Sequence, residues 1–389
     1  RDLDAPYVLQ DHTTYRAFSK GRRVNGVSSG GVMHVITGLG VGGAETMLAS
    51  LAQAEAAAGQ PPVVVSLTPG GPIAAQLEEA GIEVFDLGMV RGRPTPGALF
   101  KLRSLIRRFR PAVLQSWMYH ANLMATGALS LSGLRRKTVH YWGIRCSDMD
   151  LDAYGLMFRA VVKAGGLFSA WPDAVTCNSE AGIAVHKALG YNPRRFLLVD
   201  NGIDIARFAP DPAARDTVRA EFEIAPETVV IATAARVDPM KDYANLLAAL
   251  DQLPDVTAIV MGDGTEMLPD TPGLIRLGRC DRVAQVFAAA DLIVSASAYG
   301  EGFSNAIAEG MSCGLPAVAT DVGDARRIVG DAGTIVEPRN SAILAAAIDA
   351  LSRRPDRAET GRAARERIET LFSLERSVAR FRELHREGI

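Results

Sequence analysis

Short apolar runs alternate with amphipathic segments along most of the chain. Residues 32–37 form an apolar run, residues 38–43 are rich in glycine, and residues 44–58 carry apolar side chains at helical spacing. The same order recurs up to residue 199 and starts again at residue 228. Strands that alternate with helices are typical of parallel sheets with crossover helices. The pattern therefore predicts an α/β protein.

The alternation lapses over residues 201–212, where turn-forming residues replace the apolar periodicity. We predict a domain boundary here, with one Rossmann-like doubly wound domain at 32–200 and a second at 201–372, followed by a final helix at 373–389. Two such sheets leave a cleft between the carboxyl ends of their strands, where ligands of open parallel sheets bind. Residues 1–31 are polar and mixed in charge, and we expect a flexible leader or a cloning remnant there.

Composition narrows the class of protein. The chain has 389 residues, of which 48% are hydrophobic and 22% are charged, and this is typical of a globular protein with more than one domain. Its 42 basic and 44 acidic residues give a net charge of -2, so bulk charge indicates no nucleic-acid partner. The four cysteines are scattered, which favours small core residues in a reducing cytoplasm over a disulfide framework or a metal site. No apolar run is long enough for a membrane-spanning helix.

Residues 301–316 contain the most informative pattern, two carboxylates separated by seven residues. The apolar run 292–295 precedes them, and Gly300 and Gly302 mark a turn before a helical pattern. A strand, a glycine turn and a helix start form an anion site, because the first N–H groups of a helix are unpaired and carry the positive end of its dipole. A carboxylate beside a phosphate repels it unless the carboxylate binds another group. The hydroxyl groups of a sugar can donate hydrogen bonds to such a carboxylate. We interpret this stretch as a site for a sugar nucleotide.

The glycine-rich residues 38–43 follow a strand and precede a helix, the context of a dinucleotide-binding fingerprint. An NAD site also needs a carboxylate at the end of the second strand, but that strand ends in Ser66, Leu67 and Thr68. A phosphate or sugar contact is the better interpretation, and a merely tight turn is the remaining one.

The fourth predicted strand ends in Gln115-Ser-Trp-Met-Tyr-His120, facing the predicted cleft. His120 is either a substrate contact or a structural hydrogen-bonding residue. Trp117 and Tyr119 either stack on an acceptor sugar or belong to an aromatic core at the strand end.

Basic residues occur in two contexts. Arg236 and Lys241 follow the first strand of the second domain, where fixed cations suit a departing diphosphate. Residues Phe100–Arg110 form a basic amphipathic helix, which is either a solvated helix face or a peripheral contact to anionic lipid.

With these residues identified, the chain resembles the retaining glycosyltransferases of family 4, which have the GT-B fold of two Rossmann-like domains facing across a cleft. The resemblance runs from about residue 32 to the C-terminus. It rests on the E-x7-E motif at Glu301 and Glu309, on Arg236 and Lys241, and on the segments GLGVGGAE and NGIDIARF. It also implies that the final helix packs on the first domain.

The resemblance implies roles for individual residues. Glu309 would hold the donor ribose, and Glu301 would contact the transferred sugar. The donor-binding set is then Gly40, Gly42, Gly43, Arg236, Lys241, Glu301, Gly302, Phe303, Ser304, Asn305 and Glu309. The catalytic set is Arg236, Lys241, Glu301 and His120, and the acceptor-binding set is Trp117, Tyr119 and His120. Many family members carry an H-x-H pair where this chain has Gln115 and Trp117, and His120 stands in for it.

The implied reaction is transfer from a UDP- or GDP-sugar with retention at the anomeric carbon and without a bound metal. The expected acceptor is a saccharide or lipid-linked saccharide in bacterial surface polysaccharide synthesis, and the expected location is the cytoplasm or the inner face of its membrane. Two alternatives stay open: a sugar-nucleotide 2-epimerase on the same architecture, and a non-catalytic sugar-nucleotide binding protein.

Overall fold

The computed structural model describes residues 30–40, 42–90, 95–147 and 155–388. The leader predicted at 1–31 lies outside these residues apart from its last two. Thirteen strands occur in the described part of the chain: β1 Val32–Ile36, β2 Val63–Ser66, β3 Glu83–Asp86, β4 Val113–Trp117, β5 Val139–Ile144, β6 Ala174–Cys177, β7 Phe196–Leu198, β8 Val229–Ala234, β9 Val256–Met261, β10 Leu274–Arg276, β11 Leu292–Ser295, β12 Ala317–Thr320 and β13 Gly333–Val336.

Fourteen α-helices connect or follow these strands within the described residues. They are α1 Gly43–Ala57, α2 Pro72–Glu79, α3 Pro96–Phe109, α4 Tyr119–Ser132, α5 Leu156–Phe168, α6 Glu180–Ala188, α7 Pro212–Glu221, α8 Tyr243–Leu250, α9 Val283–Ala289, α10 Asn305–Ser312, α11 Ala325–Val329, α12 Ser341–Ser352, α13 Arg357–Leu371 and α14 Leu374–Gly388. The 3₁₀ turn Pro239–Lys241 precedes α8, and a second one, Thr265–Met267, follows β9.

The strands form two separate parallel sheets. The first has the order β3-β2-β1-β4-β5-β6-β7, and the second has the order β10-β9-β8-β11-β12-β13. In both sheets the order reverses between two central strands, β1 and β4 in the first and β8 and β11 in the second. Ligands bind outside the carboxyl ends of strands at such reversal points. The predicted fold class, two doubly wound parallel-sheet domains, is confirmed, and the predicted limit at 200/201 falls between the two sheets.

Some element limits differ from the predicted ones. Helix α10 begins at Asn305, two residues later than expected, because Ser304 has an extended conformation at its N-cap position. The sequence pattern does not predict helix α7, in which Val218 is the only buried apolar residue. Helix α11 is five residues long, too short to show a period.

The basic amphipathic helix is α3, and its apolar side chains pack into the core of the first domain. Leu102, Leu105, Ile106 and Phe109 are all buried against that core, whereas Phe100 is exposed. The hydrophobic periodicity is therefore accounted for by packing on the sheet. No helix in the described part of the chain is long and apolar enough to cross a bilayer.

The last helix, α14, returns to the first domain, where the family resemblance placed it. Tyr141 of β5 donates a hydrogen bond from its hydroxyl to the backbone oxygen of Leu384, at 3.0 Å. Glu55 of α1 contacts Nδ1 of His385 at 2.9 Å and Nε2 of His34 at 3.0 Å, and all three side chains are buried.

The hydrogen bonds around Glu55 define its charge. The indole N–H of Trp117 donates to Nδ1 of His34 at 3.2 Å, so the proton of His34 is on Nε2, facing the carboxylate. Burial alone would raise the pKa of Glu55, but the two imidazoles reverse this effect and lower its pKa to about 2. Glu55 is therefore a buried carboxylate that accepts hydrogen bonds from both histidines and fastens α14 to α1.

Glu55→Gln should lower the free energy of unfolding of the first domain by about 2–4 kcal/mol. The amide nitrogen cannot accept a hydrogen bond, so one buried imidazole N–H loses its acceptor. Unfolding in urea, followed by circular dichroism, measures the loss.

Glu79→Gln is the matched control, because Glu79 is a solvent-exposed glutamate on α2. It should change the same free energy by less than about 0.5 kcal/mol. Equal effects of the two substitutions would show that Glu55 has no special structural role.

Candidate functional site

The turn between β11 and α10 brings two predicted site residues into direct contact. Oε1 of Glu301 forms an ion pair with Nζ of Lys241 and accepts a hydrogen bond from the hydroxyl of Ser297 at 2.7 Å. The side chains of Glu301 and Lys241 are only 11% and 19% exposed, so water screens this pair poorly. Lys241 ends the 3₁₀ turn Pro239–Lys241, which follows β8. The two central strands of the second sheet thus supply the two partners.

Arg236 has different surroundings from Lys241. Its Nε and Nη2 atoms donate to Oδ2 of Asp238 at 3.1 and 3.0 Å, and its side chain is half exposed. Asp238 also accepts a hydrogen bond from the backbone N–H of Met240 at 3.0 Å and so caps the 3₁₀ turn that carries Lys241. Arg236 therefore stabilises this turn through Asp238.

Glu309 lies in the second turn of α10 and is partly buried. Burial raises its pKa to about 7, and the nearby Arg207 offsets only part of this effect. The two acids of the motif therefore differ in their electrostatic environment. Glu301 is paired with a lysine, whereas Glu309 changes charge near neutral pH.

Residues 302–305 lie between the two acids. Ser304 is the N-cap residue of α10, and the ring of Phe303 is buried against Phe372, with ring centroids 5.3 Å apart. The first N–H group of α10 is therefore that of Asn305, three residues after Gly302. This arrangement is the strand, turn and helix start that favours an anion.

The glycine-rich loop of the first domain lies against α10 of the second. A Cβ atom on Gly43 would be 3.2 Å from Nδ2 of Asn305, closer than almost all real contacts of this kind. Gly43 is the first residue of α1, and Gly42 is its extended N-cap residue. Gly40 is exposed in the preceding loop. The helix starts after β1 and after β11 therefore meet at the interface between the domains.

The structure corrects the acceptor role expected for Trp117 and Tyr119. Trp117 is fully buried, and its ring packs against Phe381, with centroids 5.4 Å apart. Tyr119 is 4% exposed, and its hydroxyl contacts Nε2 of His186 at 2.8 Å. Neither ring has a free face for stacking on a sugar, so the alternative of an aromatic core describes both residues.

His120 is the remaining residue of the predicted acceptor set. It is the second residue of α4, it is partly exposed, and its ring centroid is 5.9 Å from that of Phe158 in α5. Gln115, at the other position where the H-x-H pair was expected, is fully buried in β4. His120 is therefore the only histidine of the 115–120 segment, and it lies at the carboxyl end of β4.

Three further residues lie at the interface, Asn201, Arg145 and Ser147, and of these Asn201 alone belongs to a segment that carries the family resemblance, NGIDIARF. Asn201 donates from Nδ2 to Oδ1 of Asn305 at 2.9 Å and accepts a hydrogen bond from Arg145 at 3.3 Å. Ser147 donates from its hydroxyl to the backbone oxygen of Glu301. Asn201 and Ser147 each lie three residues after a strand of the first sheet, and this position is the signal that could have identified them.

The described part of the chain contains no cluster of three or more histidine, cysteine, aspartate or glutamate side chains that could hold a metal ion. All four cysteines are unpaired. The charged groups described above include Lys241, Arg236, Glu301 and Glu309, together with the N-terminus of α10.

Family models match both halves of the chain. Residues 41–207 match the model of Glycosyltransferase Family 4, and residues 228–354 match the model of Glycosyl transferases group 1. The D-inositol 3-phosphate glycosyltransferase of Mycobacterium marinum is 34% identical over 190 residues, which are 44% of this chain and 39% of that protein. The match therefore covers less than half of the length of this relative.

Solved structures share the whole architecture. HepE of Anabaena in complex with UDP-glucose superimposes with a TM-score of 0.76 at 22% sequence identity, over 91% of this chain and 98% of HepE. A glycosyltransferase from Rickettsia africae superimposes with a TM-score of 0.78 at 16% identity, over 93% and 99% of the two chains. At these identities the likeness shows the fold. The chain is thus a GT-B-fold protein whose two domains match the glycosyltransferase families.

Proposed function

We propose that this protein transfers a sugar from a nucleoside-diphosphate sugar to an acceptor, with retention at the anomeric carbon. The observation that carries the proposal is the Lys241–Glu301–Ser297 cluster, located directly before the N-terminus of α10. It combines a cation and unpaired helix N–H groups for phosphate with a carboxylate for sugar hydroxyls. HepE, which shares the fold, has been solved with UDP and with UDP-glucose, which supports a uridine nucleotide as donor.

In the proposed reaction, positioning and electrostatics supply most of the catalysis. The bond between the anomeric carbon and the diphosphate breaks, and negative charge develops on the leaving phosphate oxygen. Lys241, Arg236 and the N-terminus of α10 stabilise that charge without a metal ion. The departing oxygen takes the proton of the acceptor hydroxyl as the new glycosidic bond forms on the same face. His120 positions the reacting sugar, and Glu301 accepts hydrogen bonds from its hydroxyls.

Glu309 is the proposed ribose ligand. It is one helical turn further along α10 than Asn305, and a carboxylate there can accept hydrogen bonds from the two ribose hydroxyls. Its pKa of about 7 means that the free protein holds this group partly protonated at neutral pH. Hydrogen bonds from the ribose favour the charged form, so donor binding lowers this pKa.

The acceptor would bind on the first domain, near His120. We propose a saccharide or a lipid-linked saccharide of a bacterial surface polysaccharide. The name of the Mycobacterium marinum relative makes an inositol phosphate a second candidate. An acceptor panel should therefore contain both classes.

A thermal-shift screen with nucleoside diphosphates and their sugars tests the donor site. A ligand present at about 100 times its dissociation constant should add about 2.7 kcal/mol of stability, because it binds only the folded protein. We expect the largest shift with UDP or a UDP-sugar. No shift with any nucleotide would contradict the proposed donor site.

Lys241→Ala should reduce transfer by about 100-fold to 1,000-fold, because one fixed cation is removed from the leaving diphosphate. Product formation from a labelled UDP-sugar is the measurement. Lys137→Ala is the control, since Lys137 is an exposed lysine in a turn of the first domain. Wild-type turnover in the Lys241 variant would contradict the mechanism.

A separate test distinguishes the alternative function. If the wild-type protein isomerises the donor sugar nucleotide without an acceptor, as followed by NMR, it is a 2-epimerase.

The affinity for UDP-glucose should rise as the pH increases towards about 7 and then level off. Below that pH, binding must remove the proton from Glu309, so part of the binding free energy is lost; above it, the carboxylate is already charged. UDP-glucose is a suitable probe because its phosphates do not titrate near neutrality. Isothermal titration calorimetry at several pH values measures the effect.

Glu309→Gln should bind UDP-glucose more weakly and should lose this part of the pH dependence. If the variant retains the same pH profile as the wild type, a group other than Glu309 causes it. An affinity that falls as the pH rises would also contradict the assignment.

A further inference from the structure

A carboxylate of the second domain caps a helix of the first. Asp324 follows β12, and its Oδ2 and Oδ1 atoms accept hydrogen bonds from the backbone N–H groups of Glu180 and Ala181, each at 3.0 Å. These are the first two residues of α6. Asp324 is only 4% exposed. A negative charge is favoured at this position because the N–H groups at a helix start have no partners within the helix and carry the positive end of its dipole.

The same segment contacts the turn that carries Glu301. The backbone N–H of Asp324 donates to the backbone oxygen of Gly302 at 3.0 Å. From the first domain, Ser147 donates to the backbone oxygen of Glu301. Two consecutive carbonyl groups of the Glu301–Gly302 turn thus accept hydrogen bonds, one from each domain.

Gly302 shows how closely the domains approach at this point. A Cβ atom on this residue would be 3.0 Å from the hydroxyl oxygen of Ser179, the N-cap residue of α6, and 3.6 Å from the backbone nitrogen of Ser147. The cap on α6 therefore lies beside the turn itself.

Arg327 holds Asp324 from its own domain. Nε of Arg327 donates to Oδ2 of Asp324 at 2.9 Å, and its guanidinium also pairs with Asp200, which follows β7. If the domains separated, Asp324 would keep its bond to Arg327 and lose both bonds to α6. The carboxylate is therefore oriented in advance for contact with the first domain.

We propose that Asp324 is a positioning residue that couples closure of the two domains to the geometry of the Glu301–Gly302 turn. This proposal rests on the proposed function, because it assigns Asp324 to the step in which Glu301 meets the transferred sugar. The proposed contacts to UDP, Lys241 and Glu309, both belong to the second domain, so UDP should bind whether or not Asp324 contacts α6. Transfer requires the closed arrangement, in which Asp324, Ser147 and the turn are joined.

Asp324→Asn should lower kcat by about tenfold to 100-fold and leave the dissociation constant for UDP unchanged. The range corresponds to the loss of one or two hydrogen bonds to a charged group. The new amide nitrogen must face an N–H group of α6 or the Arg327 guanidinium, so it repels one of them. Transfer kinetics and calorimetric titration with UDP measure the two quantities.

Asp321→Asn is the matched control. Asp321 lies three residues earlier in the same turn and forms an exposed ion pair with Arg326, also within the second domain. It should leave both kcat and the affinity for UDP unchanged. An equal fall of kcat in both variants would overturn the proposal, because the effect would then belong to the turn and not to the contact with α6. An unchanged kcat in Asp324→Asn would also overturn it.

A second pair of variants breaks the same contact from the first domain. Glu180→Pro removes the N–H group that faces Asp324, and proline is tolerated at the first position of a helix when the preceding residue is extended, as Ser179 is. Glu180→Ala removes the same exposed side chain but keeps the N–H group. Only the proline variant should lose kcat, and equal rates in the two variants would contradict the proposal.

Small-angle X-ray scattering in the presence of UDP tests the contact independently of catalysis. The radius of gyration should be larger for Asp324→Asn and Glu180→Pro than for the wild type, Asp321→Asn and Glu180→Ala. If the wild type transfers no sugar to any acceptor, the proposed function fails while this comparison still tests the role of Asp324. Identical radii for all five proteins would overturn the proposal.

Discussion

The two segments that connect the domains are hydrogen-bonded to each other, and this pairing constrains the rest of the molecule. The backbone N–H of Ile203 donates to the oxygen of Phe372, and the N–H of Leu374 donates to the oxygen of Ile203, both at 2.8 Å. The chain thus leaves the first domain and returns to it at one place. Glu55, which binds His34 and His385, fastens the returning helix α14 to α1. Relative motion of the domains must therefore occur about this single paired connection.

The two acids of the motif, Glu301 and Glu309, have different electrostatic surroundings because the fold places different charges beside them. Glu301 lies at the end of β11 and Lys241 after β8, so the two central strands of one sheet produce a poorly screened ion pair. Glu309 is on helix α10, where burial raises its pKa to about 7 and, among the described residues, Arg207 offsets part of this effect. One acid of the motif is therefore ion-paired with a lysine, and the other has a pKa close to neutral pH. Neither has the surroundings of a paired general acid and base.

Much of the fold could be predicted from the sequence because parallel strands are continuous apolar runs, and their periodicity survives without tertiary information. The turn before α10 was identifiable for a similar reason, since Gly300, Gly302 and the two acids are close in sequence. Trp117 and Tyr119 were interpreted partly as acceptor contacts because the sequence shows only that they end a strand. Whether an aromatic ring at a strand end faces the cleft or the core depends on the helices that pack against it. For Tyr119 and Trp117 these helices are α6 and α14, whose contacting residues lie 67 or more positions further along the sequence.

Contacts between the domains were the least predictable part of the site. Asn201, Ser147 and Asp324 bind partners 104, 154 and 144 residues away. Asn201 begins the NGIDIARF segment, but no local pattern distinguishes Ser147 and Asp324 from ordinary loop residues. Helix α7 is a different case, since Val218 is its one buried apolar residue and the other buried side chain is that of Arg219. Local patterns thus identify the parts of each domain, whereas the interface depends on how the completed domains meet.

Arg327 connects the paired connection to the Asp324 contact. It binds Asp200, three residues before Ile203, and Asp324, beside the Glu301–Gly302 turn. Asp200 also interacts electrostatically with the buried guanidinium of Arg145, in its own domain, so Asp200 has a cation beside it whether or not the domains meet. Asp324 has the positive end of the α6 dipole beside it only when the domains are together. The carboxylate charge of Asp324 therefore favours the closed arrangement, and an amide at position 324 would weaken this attraction while keeping nearly the same shape.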